Sequence, residues 1–548
     1  MAKSFKPPKY RGRPIWTVDA ETDPFKKGRI PKPFVWGVFT GEEYHQFTDT
    51  EELIIFLQDK EVICYAHNGG KFDWHFLTEY VEDFEHLTII AGRLAKFNIG
   101  FCEFRDSFNI IPAPLSAYKK DDIDYSIFEE GERNKPENWE SITTYLKADC
   151  IYLHEMITQF INDYGMAITQ ASAAMKIWQK ISGEKKPNSS PVYYQDFAKY
   201  YYGGRVECFK TGIIEEEFSV IDIRSAYPYA MTFNHAWGGA YATYSKMPED
   251  ITDERLSKCF ISCRAKGYGA FPLRGDTGLY FPNDGSEYEF HITGWEYIAA
   301  RDTNCLHDCI IIEIREFLDD INFIDYVDTF FTLKNEADMN MKSSVGTEQD
   351  YWIAQRLFAK IFLNSLYGKF ASNPDNYEEF MTVPAENIDG AMQEGWGFCK
   401  LLCEETAVMA RPLEEEKKRF YDVAVSASIT GFVRAYLWRA IHKTNGTIIY
   451  CDTDSVAASH LGDIDLSEGL GNWELEAQCD FAAVAGKKLY AFRKLNGDYK
   501  IASKGVRLSP EEIIAIAKGA TVTYEPEVPT FSVKRGIKFT PRRIKMLD

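Results

Sequence analysis

The pattern of apolar and polar positions near the start of the chain predicts strands that carry acidic residues. Ile15–Thr22 is one such strand, with Asp19 and Glu21 two residues apart. Side chains two apart point to the same face of a strand, so the two carboxylates are expected to lie together. Residues 62–66 are apolar and predict a second, buried strand, and a His-Asn-Gly-Gly turn and a helix-like segment with Asp73 follow it.

A helical period begins further along the chain. Between residues 141 and 161, apolar side chains recur at the spacing of an amphipathic helix: Ile142, Leu146, Leu153, Ile157 and Phe160. Tyr145 and Asp149 are four residues apart, so they are neighbours on one helix face. Asp149 is therefore a candidate to join the acidic residues of the strand and turn in one cluster.

A second helix is predicted over residues 352–370 by its period and residue types. Lys360, Asn364 and Tyr367 recur at i, i+4 and i+7, so they share one face. Arg356 lies one turn earlier on that face. A lysine, an asparagine and a tyrosine in this order suit the phosphates, sugar and base of a nucleotide.

Two acidic residues, Asp452 and Asp454, lie between a β-branched run and an apolar run. Strands disfavour aspartate, so the pattern predicts a hairpin with both carboxylates at its tip. Their like charges are costly unless hydrogen bonds or a cation offset them, and a divalent metal is the obvious offset. A solvated polar turn explains the pair equally well by itself. Cys451 and Thr453 are expected to point to the opposite face and to pack.

A third acidic residue follows another predicted strand. The mostly apolar residues 218–221 lead into Asp222 and a turn closed by Pro228. Asp222 is therefore a third carboxylate for the metal site expected at the hairpin.

Length and composition predict three or four domains with large cores, because the chain has 548 residues and 45% are hydrophobic. The sequence has no apolar run long enough for a transmembrane helix and no secretory signal at its N-terminus. The twelve cysteines form no zinc-binding framework, which favours reduced thiols in a cytosolic protein. The polar residues 182–191 mark a domain boundary.

The formal net charge of −20 argues against a surface that attracts nucleic acid everywhere, but not against a local basic channel. The C-terminal stretch is such a region, with six basic residues: Lys534, Arg535, Lys538, Arg542, Arg543 and Lys545. A solvated terminus explains this run equally well.

The acidic residues of the N-terminal part suit two-metal hydrolysis of a phosphodiester. They are Asp19, Glu21, Asp73 and Asp149. With Asn68, Phe72 and Tyr145, they resemble the three exonuclease motifs of DnaQ-like 3′–5′ proofreading domains. The resemblance implies metal binding by the four carboxylates, orientation of water by Tyr145, and DNA contacts by Asn68 and Phe72.

Residues 106–108 resemble the single-strand contact segment of the same exonuclease family, in which Ser107 is the predicted DNA contact. The family places a lysine after this segment. Lys119 and Lys120 are both candidates for it.

The later motifs resemble those of family B DNA polymerases: residues 222–228 motif A, residues 360–368 motif B, and residues 450–455 motif C. The resemblance implies that Tyr227 stacks under the incoming sugar and excludes a 2′-hydroxyl. It also implies that Lys360, Asn364 and Tyr367 bind the nucleotide, with Arg356 as a further candidate for phosphate.

Segments on either side of these motifs resemble the family's DNA-binding elements. A Tyr-x-Gly-Gly segment joins the exonuclease and polymerase domains, and a Lys-x-Tyr motif holds the primer end. The predicted DNA contacts of these segments are Tyr202, Gly203, Gly204, Lys488, Tyr490 and Lys504. Arg205 is an additional candidate for a phosphate contact.

The resemblance covers residues 19–504 and implies an α/β and α+β multidomain fold. A DnaQ or RNase H-like 3′–5′ exonuclease domain precedes a right-hand polymerase with palm, fingers, thumb and two insertions. The expected domains are exonuclease 1–185, first palm part 186–245, first insertion 246–345, fingers 346–371, second insertion 372–420, second palm part 421–504 and basic thumb 505–548.

The short chain and its two insertions, which resemble terminal-protein regions 1 and 2, are similar to the protein-primed viral subgroup. Residues 21–25 and 29–33 resemble tectivirus-type phage polymerases. The resemblance implies DNA synthesis from dNTPs on a DNA primer-template, started on a terminal priming protein, in the cytoplasm of a bacterial host. Mg²⁺ or Mn²⁺, two ions per active site, is the expected cofactor; no membrane partner is expected, and the oligomeric state stays open.

Three other interpretations stay open at this point. The chain is a primer-independent family B polymerase, a nuclease whose C-terminal half only binds DNA, or an acidic replisome scaffold without catalysis. The joint presence of Lys360, Tyr227 and Lys488 argues against the nuclease, and two intact carboxylate sets argue against the scaffold.

Overall fold

The computed structural model describes residues 5, 7–78, 85–183, 185–276, 278–402, 405–444 and 447–546. Strands and helices are numbered separately along the chain. Within these ranges, no helix is both long enough and apolar enough to cross a membrane.

The N-terminal part is built on a seven-stranded mixed sheet. Its elements are β1 (Ile15–Thr22), β2 (Pro33–Phe39), β3 (Tyr44–Phe47), α1 (Thr50–Gln58), β4 (Ile63–Ala66), β5 (Glu85–Ile90), β6 (Arg93–Ile99), β7 (Cys102–Asp106), α2 (Glu130–Arg133), α3 (Pro136–Tyr164) and α4 (Gln170–Ser182). The strand order is β3-β2-β1-β4-β7-β6-β5, and β4 runs parallel to both β1 and β7. Because α3 packs across β1 and β2, the acidic strand and the acidic helix predicted from the sequence lie against each other.

The apolar stripe of α3 explains this packing. Ile142, Leu146 and Leu153 are buried, as the helical period predicts. The helix begins with Pro136 in its first turn and ends before Gly165, whose φ of 88° favours glycine.

After the polar residues 182–191, the chain forms the first three strands of a second sheet, which later segments complete. The elements here are α5 (Pro191–Ala198), β8 (Val206–Cys208), β9 (Gly212–Ile214), β10 (Phe218–Ile223) and α6 (Ala226–Met231). The elements that follow are β11 (His235–Tyr244), α7 (Asp253–Leu256), β12 (Cys259–Lys266), β13 (Leu273–Gly275), β14 (Gly278–Tyr280), β15 (Glu287–Thr293), α8 (Gly294–Asp302) and β16 (Ile310–Ile321). Four of the strands form a separate antiparallel sheet with the order β11-β16-β12-β15. β13 and β14 pair as a hairpin of their own.

Two long helices come next, α9 (Ile324–Ser343) and α10 (Thr347–Phe370), and they pack along each other. The buried face of α10 also meets the C-terminal end of α3, where the ring centroids of Tyr164 and Phe362 are 4.7 Å apart. The Tyr164 hydroxyl donates to Gln355 Oε1 at 2.7 Å. α3 therefore links the N-terminal acidic cluster to the helix that carries Lys360.

A small unit follows α10 in the chain, before the remaining strands of the second sheet. Its elements are β17 (Glu378–Pro384), α11 (Ile388–Gln393), β18 (Gly397–Leu401) and β19 (Thr406–Pro412). The three strands form a sheet with the order β17-β19-β18. Val408 of β19 is buried in one apolar cluster with Trp74 and Phe97 of the N-terminal part. This unit therefore packs against the N-terminal sheet.

The chain then returns to complete the second sheet through α12 (Val423–Lys443), β20 (Ile448–Asp452), β21 (Ser455–Ala458), β22 (Trp473–Gly486), β23 (Leu489–Lys494) and β24 (Tyr499–Ser503). The strand order is β24-β23-β22-β10-β21-β20-β8, with β9 paired to β22. The C-terminal elements are α13 (Pro510–Ala517), β25 (Val522–Tyr524), β26 (Thr530–Ser532), β27 (Gly536–Lys538) and β28 (Arg542–Ile544). α13 packs on β22 and β23.

The predicted domain limits agree only partly with these elements. β11 falls in the range predicted for the first palm part, yet it is the edge strand of the sheet formed by the first insertion. α9 falls in the range predicted for that insertion, yet it packs along α10. Sequence composition marks linkers well, but it does not show which strands pair across a boundary.

Two candidate active sites

The second sheet brings together the acidic residues of motifs A and C. Asp222 lies near the end of β10, and Asp454 lies in the turn between β20 and β21. Asp222 is opposite Ser455 in the antiparallel register, and the Ile223 N–H donates to the Asp454 carbonyl at 2.9 Å. The two aspartates therefore occupy the same end of neighbouring strands.

The hairpin between β20 and β21 departs from the predicted strand at its tip. Thr453 has a φ of 61°, so the two-residue period stops before Asp454. The expectation that Thr453 packs on the opposite face is wrong: its hydroxyl donates to Asp452 Oδ1 at 3.0 Å, and its N–H donates to the Arg205 carbonyl at 2.6 Å. Cys451 is fully buried and packs, as predicted.

Burial and the neighbouring charges change the acidity of this site. Burial and the Asp454 charge raise the pKa of Asp222 to about 7, and burial raises the pKa of Asp454 to about 6. Asp222 Oδ1 is buried and has no hydrogen-bond partner among the described residues. Asp452 differs, because Lys488 Nζ lies 3.2 Å from its Oδ1. An oxygen that has lost water without gaining a partner is available to a cation.

Sequence reasoning missed two acidic residues beside this site, Glu474 and Glu476. Both lie on β22, and Glu474 is opposite Asp222 in the register with β10. The Glu476 charge contributes to the raised pKa of Asp222 and of Asp454. Glu476 also pairs with Lys500. Their two-residue spacing in a strand was the available signal, but only the pairing of β10 with β22 places them here.

The predicted nucleotide face of α10 meets the turn after β10. The rings of Tyr227 and Tyr367 are stacked, with centroids 4.1 Å apart and planes within 7°. Lys360 and Asn364 are exposed, and the Asn364 side-chain amide donates to the Lys360 carbonyl at 2.9 Å. Residues of motifs A and B therefore meet, as the sequence predicts.

Arg356 lines the same groove as Lys360, together with residues 112–114 of the N-terminal part. Its Nε lies 2.5 Å from Asp338 Oδ1 on α9. Arg356 is therefore already paired, and a contact with a nucleotide phosphate stays a prediction.

The Tyr-x-Gly-Gly segment is held between α12 and the hairpin. Arg434 Nη1 donates to the carbonyls of Tyr202 and Gly203 at 2.6 and 2.9 Å. Tyr202 is only 5% exposed. A Cβ at Gly204 would lie 2.7 Å from the Thr453 side chain, so glycine is needed where this segment approaches that side chain.

Arg205 does not reach a phosphate, contrary to the expectation from the sequence. It is 1% exposed, pairs with Glu207 at 2.5 Å, and donates to the Gly269 carbonyl at 2.7 Å. Glu207 is only two residues further along the chain, whereas Gly269 lies in a distant loop, so the local sequence gives no sign of this second partner.

A basic groove of about 710 Å³ lies beside the hairpin. Its lining includes Gly204, Leu279, Lys487, Lys488, Lys504 and Arg542. The Lys504 N–H donates to the Lys488 carbonyl at 2.8 Å, which fixes the two lysines together. Tyr490 is buried next to them, and its ring stacks on Phe492 at 4.2 Å. Of the predicted primer-binding residues, Gly204, Lys488 and Lys504 therefore share one surface.

The acidic residues of the N-terminal part also come together. Asp19 and Glu21 lie on β1, Asp73 begins a 3₁₀ helix after β4, and Asp149 lies on α3. Burial and the Asp149 charge raise the pKa of Asp19 to about 7. Burial, followed by the charge of Asp19, also raises the pKa of Glu21 and of Asp73. The side-chain oxygens Asp73 Oδ1 and Asp149 Oδ1 are buried without a hydrogen-bond partner among the described residues.

The structure distinguishes the two candidate lysines. Lys120 Nζ lies 3.5 Å from Asp149 Oδ2, whereas Lys119 pairs with Glu155 at 2.9 Å and with Asp350 at 2.6 Å. Lys120 is therefore the lysine at the acidic cluster, and Lys119 connects the N-terminal part to α10.

Tyr145 is buried beside Asp149, and its hydroxyl forms a hydrogen bond with the Tyr125 hydroxyl at 3.0 Å. Lys120 Nζ lies 5.4 Å from the centroid of the Tyr145 ring. The spacing of four residues in α3 therefore places Tyr145 where the sequence predicts it.

In the segment after β7, the Ser107 side chain points into the protein and not into the groove beside Asp19. Ser107 is fully buried; its hydroxyl donates to the Ala66 carbonyl at 3.1 Å and lies 2.9 Å from His67 Nδ1. A DNA contact by the Ser107 side chain does not fit this burial. His67, Asn68 and Phe108 line the groove with Asp19 instead. The place of His67 in the groove was missed, because a lone histidine gives no spacing signal.

Both acidic clusters suit hard divalent cations, because their buried and unpartnered donors are carboxylate oxygens. Within the described ranges, no three His, Cys, Asp or Glu side chains are already arranged to hold a metal ion. The fit of the two clusters to divalent cations therefore rests on the chemistry of their carboxylate donors and on the raised pKa values of the carboxyl groups.

Comparisons with known proteins agree with this arrangement. A family model described as "DNA polymerase type B, organellar and viral" matches residues 113–395. The DNA-directed DNA polymerase of Enterobacteria phage PRD1 is 34% identical over 569 aligned positions, which cover 97% of this chain and 98% of that protein. The chain belongs to the type B DNA polymerases.

This type B polymerase is also similar to a second phage polymerase, both in sequence and in structure. The DNA polymerase of Bacillus phage phi29 is 30% identical over 88% of this chain and 87% of that protein. The structure of phi29 DNA polymerase complexed with primer-template DNA and incoming nucleotide substrates superposes with a TM-score of 0.70, at 19% identity, covering 98% of this chain and 100% of that chain. The predicted fold class, an exonuclease domain followed by a right-hand polymerase, is confirmed.

Proposed function

We propose that this DNA polymerase combines template-directed DNA synthesis with 3′–5′ proofreading at two separate carboxylate sites. The observation that carries the proposal is present in both clusters. Asp222 Oδ1 in one cluster, and Asp73 Oδ1 and Asp149 Oδ1 in the other, are buried carboxylate oxygens without a described hydrogen-bond partner. Such oxygens fit ligands of a divalent cation.

Mg²⁺ or Mn²⁺, two ions at each site, is the cofactor that these residues would hold, and it would supply Lewis-acid activation of the attacking oxygen and neutralise charge on the phosphoryl group. In the polymerase site, Asp222 and Asp454 would be the direct ligands, and Asp452, paired with Lys488, would support them. In the exonuclease site, the ligands would be Asp19, Glu21, Asp73 and Asp149.

The chain's other residues position the substrates of synthesis. Lys360, Asn364 and Arg356 present cationic and polar groups to the triphosphate, and the stacked Tyr227 and Tyr367 form the floor under the sugar and base. The primer strand lies along the basic groove. Its proposed contacts are Gly203, Gly204, Lys488 and Lys504, and the buried Tyr202 and Tyr490 support them from within the protein.

In the exonuclease site, Asn68 and Phe72 contact the 3′ end of a single strand. The Tyr145 hydroxyl orients the attacking water, because it lies beside Asp149 and is itself fixed by Tyr125. Lys120, 3.5 Å from Asp149 Oδ2, places a positive charge where negative charge develops on the phosphate.

The partners follow from the same chemistry. DNA primer-template and dNTPs are the proposed substrates, in line with the DNA and nucleotides in the phi29 polymerase complex. Phage polymerases among its relatives support action inside a bacterial host cell. We further propose protein priming, in which a Ser, Thr or Tyr hydroxyl of a terminal protein takes the place of the primer 3′-hydroxyl. The two inserted units, around β11–β16 and β17–β19, support this subgroup.

Proofreading is tested with a primer whose 3′ end is mismatched. The wild-type chain should remove the mismatch and then extend the primer, whereas Asp19→Ala with Glu21→Ala should stall at it. Extension of a matched primer by the same variant is the control. Equal removal of the mismatch by wild type and variant would show that the N-terminal cluster is not the exonuclease site.

Priming is tested by incubating the purified chain with template and dNTPs, with and without a candidate priming protein and with and without an oligonucleotide. Protein priming predicts a nucleotide covalently attached to the priming protein and no synthesis from template alone. Synthesis from template alone would favour a primer-independent polymerase instead.

A further inference from the structure

A hairpin from the C-terminal region is inserted beside the exonuclease site. β26 and β27 form it, and its Phe531 is only 3% exposed. The ring centroids of Phe72, His75 and Phe76 lie 5.4, 5.4 and 5.9 Å from that of Phe531. These rings belong to a segment that is more than four hundred positions earlier in the chain, as the separation of 460 between Lys71 and Phe531 shows.

The contacts of Phe531 flank Asp73 in the sequence. Asp73 is 2% exposed and begins the 3₁₀ helix Asp73–Phe76. Lys71, two residues earlier, donates from Nζ to the Phe531 carbonyl at 3.4 Å. A single 3₁₀ turn has few hydrogen bonds of its own, so packing decides where it lies. The sheet core packs one side of the turn through Trp74, and Phe531 packs the other.

The hairpin has two anchors of unequal strength. Phe531 and Val533 are both buried against the N-terminal part, and the burial of two large apolar side chains makes this the stronger anchor. The other anchor is the ion pair of Lys534 with Glu378 on β17, at 2.5 Å and with each side chain about a third exposed. An exposed ion pair of this kind contributes little.

We propose that Phe531 is a positioning residue for the exonuclease, holding the turn that carries Asp73 in place. The inference rests on the proposed exonuclease function. It means that the C-terminal hairpin must be docked for the 3′–5′ site to be assembled, so degradation depends on where this hairpin lies. The polymerase site shares none of these contacts, because its carboxylates lie on β10 and in the β20–β21 turn.

The test compares Phe531→Ala with wild type in four measurements: two activities, one structural readout and one metal dependence. Degradation of a single-stranded oligonucleotide should fall by roughly tenfold or more, since a misplacement of about 1 Å can cost about 100-fold in rate. Single-nucleotide extension of a matched primer should stay close to wild type. Amide hydrogen exchange in residues 69–77 should become faster, and the Mn²⁺ concentration for half-maximal degradation should rise. Glu378→Gln, which loosens only the weaker anchor, should leave all four measurements unchanged.

The outcomes separate this inference from the function on which it rests. If wild type itself leaves single strands intact, the exonuclease function is wrong. If wild type degrades them and Phe531→Ala does so equally, with unchanged exchange in residues 69–77, the positioning role is overturned. Should Phe531→Ala fail to fold, Phe531→Leu keeps most of the apolar volume and carries the same comparison, with a smaller expected loss.

Discussion

Tyr227 and Tyr367 come from distant parts of the chain, and their rings stack in parallel at 4.1 Å, close enough to Asp454 to feel its charge. At the proposed position of the sugar, such an aromatic surface would leave no room for an additional hydroxyl group. We therefore expect the stacked pair to select against ribonucleotides.

Replacement of Tyr227 by Val should therefore admit ribonucleotides. We expect the preference for dNTPs over rNTPs to fall by roughly 10- to 200-fold, the range that small steric differences control. Steady-state incorporation of each nucleotide measures it. Tyr367→Phe, which keeps the stacked ring, should retain the preference. An unchanged preference in Tyr227→Val would exclude Tyr227 as the selecting residue.

The acidity of the carboxyl groups predicts how pH and metal act together. Burial raises the pKa of Asp222 to about 7 and of Asp454 to about 6, from an ordinary value of 3.8. Carboxyl groups with a pKa raised by folding stabilise the native state below about pH 4, and this contribution is lost as the pH rises through about 7. The ionised form that remains is the form that binds metal.

Mg²⁺ should therefore raise the melting temperature more at about pH 8 than at about pH 5. Thermal unfolding with and without Mg²⁺ at both pH values measures this difference. Asp222→Asn combined with Asp454→Asn should remove part of the shift at the higher pH. The account is contradicted if Mg²⁺ stabilises the wild-type chain equally at both pH values.

At the scale of elements, the loop before β8 and the β20–β21 hairpin are fitted to each other. Gly204→Ala would place a Cβ 2.7 Å from the Thr453 side chain and push the hairpin that carries Asp454. We expect primer extension to fall by about tenfold or more, while degradation of single strands is retained. Thr453→Gly, which suits the φ of 61° at that position, should restore extension in the double variant. Failure of this rescue would mean that Gly204 acts in another way.

Elements with a strong local period could be predicted from the sequence, and their partners could not. The strand with Asp19 and the helix with Lys360 are found where the pattern places them, because burial on one face imposes a period of two or 3.6 residues. Ser107 and Arg205 were assigned to DNA because both stand near motifs, yet distant segments bury them. Glu476 and Phe531 were missed for the complementary reason, since strand pairing and hairpin docking bring them to the sites from far along the chain.

At the scale of the whole molecule, the β17–β19 unit connects parts that are distant in sequence. Val408 is buried in the N-terminal apolar cluster, and Glu378 pairs with Lys534 of the C-terminal hairpin. The unit therefore contacts both the N-terminal part and the C-terminal region. We expect such a unit to help the polymerase stay on its template.

Removal of residues 373–416 should shorten the products made in one binding event. Addition of the first nucleotides should continue, because the polymerase carboxylates lie outside this unit. Product length in the presence of a trap that captures released enzyme measures the effect. Products of unchanged length would show that the unit does not retain DNA.

The central claim is that one chain holds two independent carboxylate sites. Asp454→Asn and Asp19→Asn, each assayed for primer extension and for degradation of a single strand, test it most directly. The account predicts that Asp454→Asn loses extension and keeps degradation, and that Asp19→Asn does the reverse. Loss of both activities in either variant, at an unchanged melting temperature, would contradict it.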